Sequence, residues 1–160
     1  MKNFYQLLTD SYVTDNRSEY EKAQEHAHIL KAQEHQVKSS IHDVRARRLA
    51  DAKKKKTPEY KMHVELSDAH HKALQHHVSA HLRYSRERVR ELNFHKKRSE
   101  NPALGSESRD YSKRVVDRLT AEHKTHIKNA KEASEHADAL SKSHGQDYSA
   151  YEHSWKKIWD

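Results

Sequence analysis

The chain has 160 residues, a formal charge of +7 with histidine neutral, sixteen histidines, two glycines, two prolines and no cysteine. Lack of cysteine excludes disulfides, thiolate metal sites and cysteine nucleophiles, and no run of about 18 apolar residues is present to span a bilayer. Leu, Ile, Val and Phe supply about a sixth of the sequence, too little for a thick globular core, yet breakers are scarce and helix formers abundant, which favours long solvated helices joined by a thin apolar seam over disorder.

The opening "NFYQLLTDSY" reads as a short amphipathic helix within residues 1–16. Asn3 and Gln6 form a capping-box pattern, and Phe4, Leu7, Leu8 and Tyr12 share a face. It lacks the apolar core of a secretory signal, so the expected location is the cytoplasm or an intracellular assembly such as a virion. "SEYE" at 18–21 is a second capping box, launching a helix over about 18–52 whose seam reads as Ala23, Ala27, Leu30, Val37, Ile41 and Val44. After "KKKK", Thr57 and Pro58 mark the start of a second helix, expected over 58–94. Its stripe is Val64, His71, Leu74, Val78, Leu82, Ser85, Val89 and Leu92. "SENPALGSES" is a loop. A third helix follows over about 108–144, with Val116, Leu119, His123, His126, Ala130, Ala133, Ala137, Leu140 and His144 as its seam and Gly145 as its stop. Residues 146–160 read as an aromatic C-terminal helix bearing Tyr148, Tyr151, Trp155, Ile158 and Trp159.

Short connections between long helices favour antiparallel neighbours. The first long helix runs from acidic (Glu19, Glu21, Glu25) to basic (Arg45, Arg47, Arg48), and the third from basic (Arg109, Lys113, Arg114) to acidic (Glu132, Glu135, Asp138). The expected fold is therefore all-α: an elongated, coiled-coil-like antiparallel three-helix bundle spanning 17–145, with short amphipathic helices at both termini.

Histidine is the chemical peculiarity, and "DAHHKALQHHVSAH" at 68–81 is its densest stretch. His28, His35 and His42 are spaced by seven, as are His63, His70 and His77, with Tyr84 next in that row. Both ladders read as flanks beside the apolar seams. His123, His126 and His144 fall on the third seam, which makes them the candidate pH sensors, because burial opposes protonation. His77 and His81 at i, i+4 could chelate one ion, but a metal set with further ligands cannot be assembled, and no cofactor is expected. Glu25 and His28 form an isolated Glu-x-x-His unit; a di-iron bundle needs two such units.

"RARR", "KKKK", "RYSRERVR" and "NFHKKR" invite phosphate contacts. The best nucleic-acid candidates are Arg83, Arg86, Arg90, Lys96, Lys97, Arg98, Arg109 and Arg114, although no recognition motif accompanies them. Phe4, Leu8, Tyr12, Tyr148, Tyr151, Trp155 and Trp159 are the candidate protein-binding anchors, since Tyr and Trp suit interfaces. Glycine-rich phosphate loops and nucleophile elbows are absent from the sequence, which argues against an enzyme. The main expectation is a non-enzymatic structural or self-assembling protein, such as a virion component. The alternatives are a basic nucleic-acid-binding protein and a histidine-rich metal-binding or pH-responsive bundle.

Overall fold

The computed structural model describes residues 15–156. Among them lie five α-helices: α1 (Glu19–Asp51), α2 (Pro58–Arg83), α3 (Arg86–Glu100), α4 (Ser106–Ser143) and α5 (Glu152–Lys156), the last preceded by a 3-10 turn at Ser149–Tyr151. Helix α1 lies against α2, α2 against α4, α3 against α4, and α5 against α1. None of the described helices is long and apolar enough to cross a membrane. Phe4, Leu8, Tyr12 and Trp159, and with them most of the expected N-terminal helix, fall outside the described residues.

The helix starts follow local chemistry. Ser18 Oγ accepts from the Glu21 amide while the Glu21 carboxylate accepts from the Ser18 amide, completing a reciprocal cap. Thr57 caps α2, whose first residue is Pro58. At the far end of α4, Gly145 adopts φ +63°, a left-handed conformation that costs a side-chain-bearing residue about 1–2 kcal/mol. Gly145→Ala should therefore lower stability by about 1 kcal/mol in a denaturant titration, with no steric contribution, because a Cβ there meets nothing within 4 Å.

The elongated three-helix coiled coil is not what forms: the described residues make a bundle of five helices, and the second long helix is in fact two. The chain leaves helical geometry at Tyr84, and Ser85 is extended (φ −60°, ψ 150°), with its hydroxyl facing the Arg88 amide as an N-cap. Ser85 is a cap and not a seam residue, because its hydroxyl competes with the helix for backbone groups. The break is anchored from outside. Tyr84 is buried, and its carbonyl accepts from Arg17 Nη1 at 2.9 Å. Arg17 is itself held by Asp15 and Glu25. Beyond the break, α3 follows α4 instead of prolonging α2.

The seam also differs from the aliphatic reading. Ala23, Ala27 and Val44 on α1, and Val78 and Leu82 on α2, are exposed. The residues α1 buries are Ala32, His35, Lys38, Ser39, His42 and Ala46; those of α2 are His63, Leu66, Ala69, His70, Ala73, His77 and Ala80. Alanine supplies the contact of α2 with α4, where Ala69, Ala73 and Ala137 pack with Ala133 and Leu140. Small side chains let helices approach closely, and at one crossing the Ser39 hydroxyl donates to the Ser67 carbonyl (3.0 Å) while Ser67 donates to the Ser39 carbonyl (3.2 Å).

Candidate functional site

The two ladders face each other. His28 pairs with His77, His35 with His70 and His42 with His63, each through Nδ1···Nδ1 contacts of 2.9 Å. Antiparallel packing dictates these partners, since each step of seven forward on α1 meets a step of seven back on α2. Beside every histidine lies a small or aliphatic residue: Ala32, Ser39 and Ala46 four positions on in α1, Leu66, Ala73 and Ala80 three positions on in α2. The rings thus replace aliphatics in the core. His35, His42 and His70 are fully buried, and His63 and His77 nearly so.

Rings from the two helices alternate into one stack. Its successive centroid separations are 5.8 Å (Tyr84–His28), 5.2 Å (His28–His77), 5.7 Å (His77–His35), 5.1 Å (His35–His70), 6.3 Å (His70–His42) and 5.1 Å (His42–His63). The far nitrogens of the four inner rings, His77, His35, His70 and His42, are satisfied by hydroxyls at a third seven-residue spacing, Ser134 and Ser141 on α4 and Tyr148 beyond it. Ser134 Oγ sits 2.8 Å from His35 Nε2 and 2.6 Å from His77 Nε2. Ser141 Oγ meets His70 Nε2 at 2.8 Å, and Tyr148 Oη meets His42 Nε2 at 2.7 Å and Ser141 Oγ at 3.0 Å.

An Nδ1···Nδ1 bond holds one proton, so the two rings of each pair must be opposite tautomers when neutral. Burial enforces neutrality. It is the largest influence pushing His35, His42 and His77 down to about 4 and His70 to about 3, and it lowers His28 and His63 as well. Neighbouring charges act both ways. Glu34 favours protonation of His35 and His77, and Asp138 that of His70; Lys31 opposes it at His35 and His77, Lys38 at His35 and His70, and Arg45 at His42 and His63. Lys38 is itself buried, with Nζ 2.6 Å from Glu34 and 3.4 Å from Asp138.

No family model, curated protein or solved structure matches this chain.

His35, His70 and Asp138 bring one potential ligand atom each within 4.8 Å of one another. Two features disfavour an ion there. Both ring nitrogens of His35 and of His70 are already engaged in hydrogen bonds, and the Lys38 ammonium lies 3.4 Å from the Asp138 carboxylate. The lone pairs suit hydrogen bonds better.

The other sequence candidates scatter. His77 has both nitrogens engaged by His28 and Ser134, whereas His81 approaches Glu25 at 3.9 Å. His123 stacks edge-on against Tyr84 at 4.6 Å, outside the zipper. The buried Nδ1 of His126 has no hydrogen-bond partner among the described residues, and both His123 and His126 are lowered by burial. His144 is exposed at the end of α4. Trp155 is buried, with the Lys38 ammonium 5.9 Å from its ring, while Tyr151 is exposed. Arg83 bonds Glu122, Arg86 lies 3.9 Å from Asp15, and Arg98 donates to Ser108 and covers the Phe94 ring. Arg86, Arg90, Lys96 and Lys97 line a groove with Phe94, whereas Arg109 and Arg114 lie on α4 and do not line it.

Proposed function

We propose that the protein is a non-enzymatic, acid-responsive helical bundle, in which three histidine pairs latch α1 to α2 at neutral pH and release them on acidification. The observation that carries this reading is the set of three Nδ1···Nδ1 contacts at 2.9 Å, two of them buried and that of His28 part-buried. When both rings of a pair are imidazolium, two N–H groups and two positive charges point at each other where one bond stood, in a site with little water to screen them. The latch is then a wedge. A two-state element with a charge trigger is what a pH switch requires.

Support also comes from what the interface lacks. Leu66 is the only leucine, isoleucine, valine or phenylalanine among the buried residues of α1 and α2, so little apolar burial would hold the helices together once the histidines charge. Lys38, Arg45 and Lys31 stand beside the rings and oppose their protonation, while Glu34, Asp138 and Glu59 favour it.

Limited proteolysis tests the proposal. Moving from pH 7.5 to 5.0 should open sites within α1 and α2 and raise binding of a hydrophobic dye, reversibly. Equal resistance at both values, or one equivalent of zinc bound at pH 7.5 with marked stabilisation, would replace the proposal with a constitutive or metal-held core.

A further inference from the structure

The hydrogen bonds of the zipper do not form three isolated pairs; they join end to end. From His28 the path runs to His77 (2.9 Å), Ser134 (2.6 Å), His35 (2.8 Å), His70 (2.9 Å), Ser141 (2.8 Å), Tyr148 (3.0 Å), His42 (2.7 Å) and His63 (2.9 Å). Each interior member uses a different atom or lone pair toward each neighbour. From His28 to His42 the path advances fourteen residue steps along α1, about 21 Å at 1.5 Å per step. A shortcut of 3.3 Å from Tyr148 Oη to His70 Nε2 bypasses Ser141.

From this continuity we infer that the nine groups form a proton wire, which carries a proton along the α1–α2 interface from His28 to His63 or back. The wire stands on the bonded geometry alone and holds whether or not acid opens the bundle.

The proton balance closes. With every bond pointing away from His28, that ring donates Nδ1–H to His77 Nδ1, and His77 donates Nε2–H to Ser134. Ser134 donates to His35 Nε2, and His35 donates Nδ1–H to His70. His70 donates Nε2–H to Ser141, Ser141 to Tyr148, Tyr148 to His42 Nε2, and His42 Nδ1–H to His63. A proton arriving at His28 Nε2 moves each bonded proton one place along, and His63 loses its Nε2–H. Nine protons are present before and after. Every bond now points the other way, so the next proton passes in the opposite direction unless the hydroxyls and tautomers reset.

Both ends have access to water or to titratable neighbours. His28 is half-buried and within electrostatic reach of His81 and His123; His63 lines a surface pocket with Arg45, Glu59, Met62 and Gln146. Along the way Glu34 and Asp138 favour an extra proton, whereas Lys31, Lys38 and Arg45 oppose it.

Either polarity gives all three α1 histidines one tautomer and all three α2 histidines the other. Pairs that chose independently would have eight arrangements, only two of them so ordered. Nitrogen-15 NMR of the full chain at pH 7.5, where the bundle is closed, reads this directly. The expected result is an equal Nδ1–H fraction for His28, His35 and His42, the complementary fraction for His77, His70 and His63, and one common rate of exchange between the polarities. Ser134→Ala should split that rate, leaving His28 and His77 apart from the other four. A mixed tautomer pattern, unequal fractions within one helix, or no reversal at any pH from 6.5 to 8 would overturn the wire. If Ser134→Ala fails to fold, the wild-type pattern and rate decide alone.

Discussion

Between pH 7.5 and 5.0 the melting temperature should fall by about 15–30 °C, while between pH 7.5 and 9.0 it should barely move. The sign follows from which state binds more protons. In the unfolded chain histidine titrates near 6.5, whereas burial holds His35, His42 and His77 at about 4 and His70 at about 3 in the fold. Between those values the unfolded chain is protonated and the native core is not, so stability is complete above pH 6.5 and is lost as pH falls toward 4. Each such residue loses about 1.4 kcal/mol per pH unit below 6.5, or about 2 kcal/mol at pH 5. Acting independently, the four would remove roughly 8 kcal/mol, against a total of about 5–15 kcal/mol for a protein of this kind. At about 2–4 °C per kcal/mol for this chain length, the expected drop follows. His28 and His63 are shifted in the same direction and add to it. Carboxylates do not confuse the window: burial raises Glu34, but its bonds to Lys31 and Lys38 prevail and hold it at about 2, so its contribution is lost only at lower pH. A decline of less than about 5 °C, measured by circular dichroism at fixed ionic strength, would mean that the rings are hydrated and the latch does not exist.

Helix boundaries were legible in the sequence at Ser18, Thr57 and Gly145, where a cap or stop stands next to a breaker or a capping box. The break at Tyr84–Ser85 was not, because the carbonyl it exposes is satisfied by Arg17, a residue 67 positions away. Both ladders of seven were visible in the sequence too, but their meaning was inverted. Ranking faces by aliphatic content assigned Val78 and Leu82 to the core and His70 and His77 to the flank, whereas a neutral imidazole in a closed hydrogen-bond network can be buried at little net cost. What would have shown the correct face is conjunction: small or aliphatic residues three or four places from each ladder histidine, and hydroxyls at Ser134, Ser141 and Tyr148 in the same period of seven. Which hydroxyl serves which ring depends on how α4 and the segment after it dock, and no local pattern encodes that.

Replacing the central pair separates its hydrogen bonding from its packing. His70→Ala should cost about 3–5 kcal/mol at pH 7.5, because it empties a fully buried site and leaves His35 Nδ1 without its partner. Replacing both rings by leucine is a different perturbation. His35→Leu with His70→Leu removes donor and acceptor together, fills the space with apolar volume, and leaves Ser134 its bond to His77 and Ser141 its bond to Tyr148. Swapping a buried polar pair for a packed apolar one is often neutral or stabilising, so the double variant should match or exceed the wild type at pH 7.5. Its greater effect should appear in acid. With two of the four most strongly shifted rings gone, about 4 kcal/mol of the loss at pH 5 should vanish, and the double variant should melt some 8–16 °C above the wild type there. The coupling energy between the two sites, from a double-mutant cycle of His35→Leu and His70→Leu, should be favourable and should not be reproduced by His28 with His42, which share no bond. If the leucine pair proves as acid-sensitive as the wild type, the transition belongs to groups outside the zipper, with His123 and His126 beside Arg83 the next to replace.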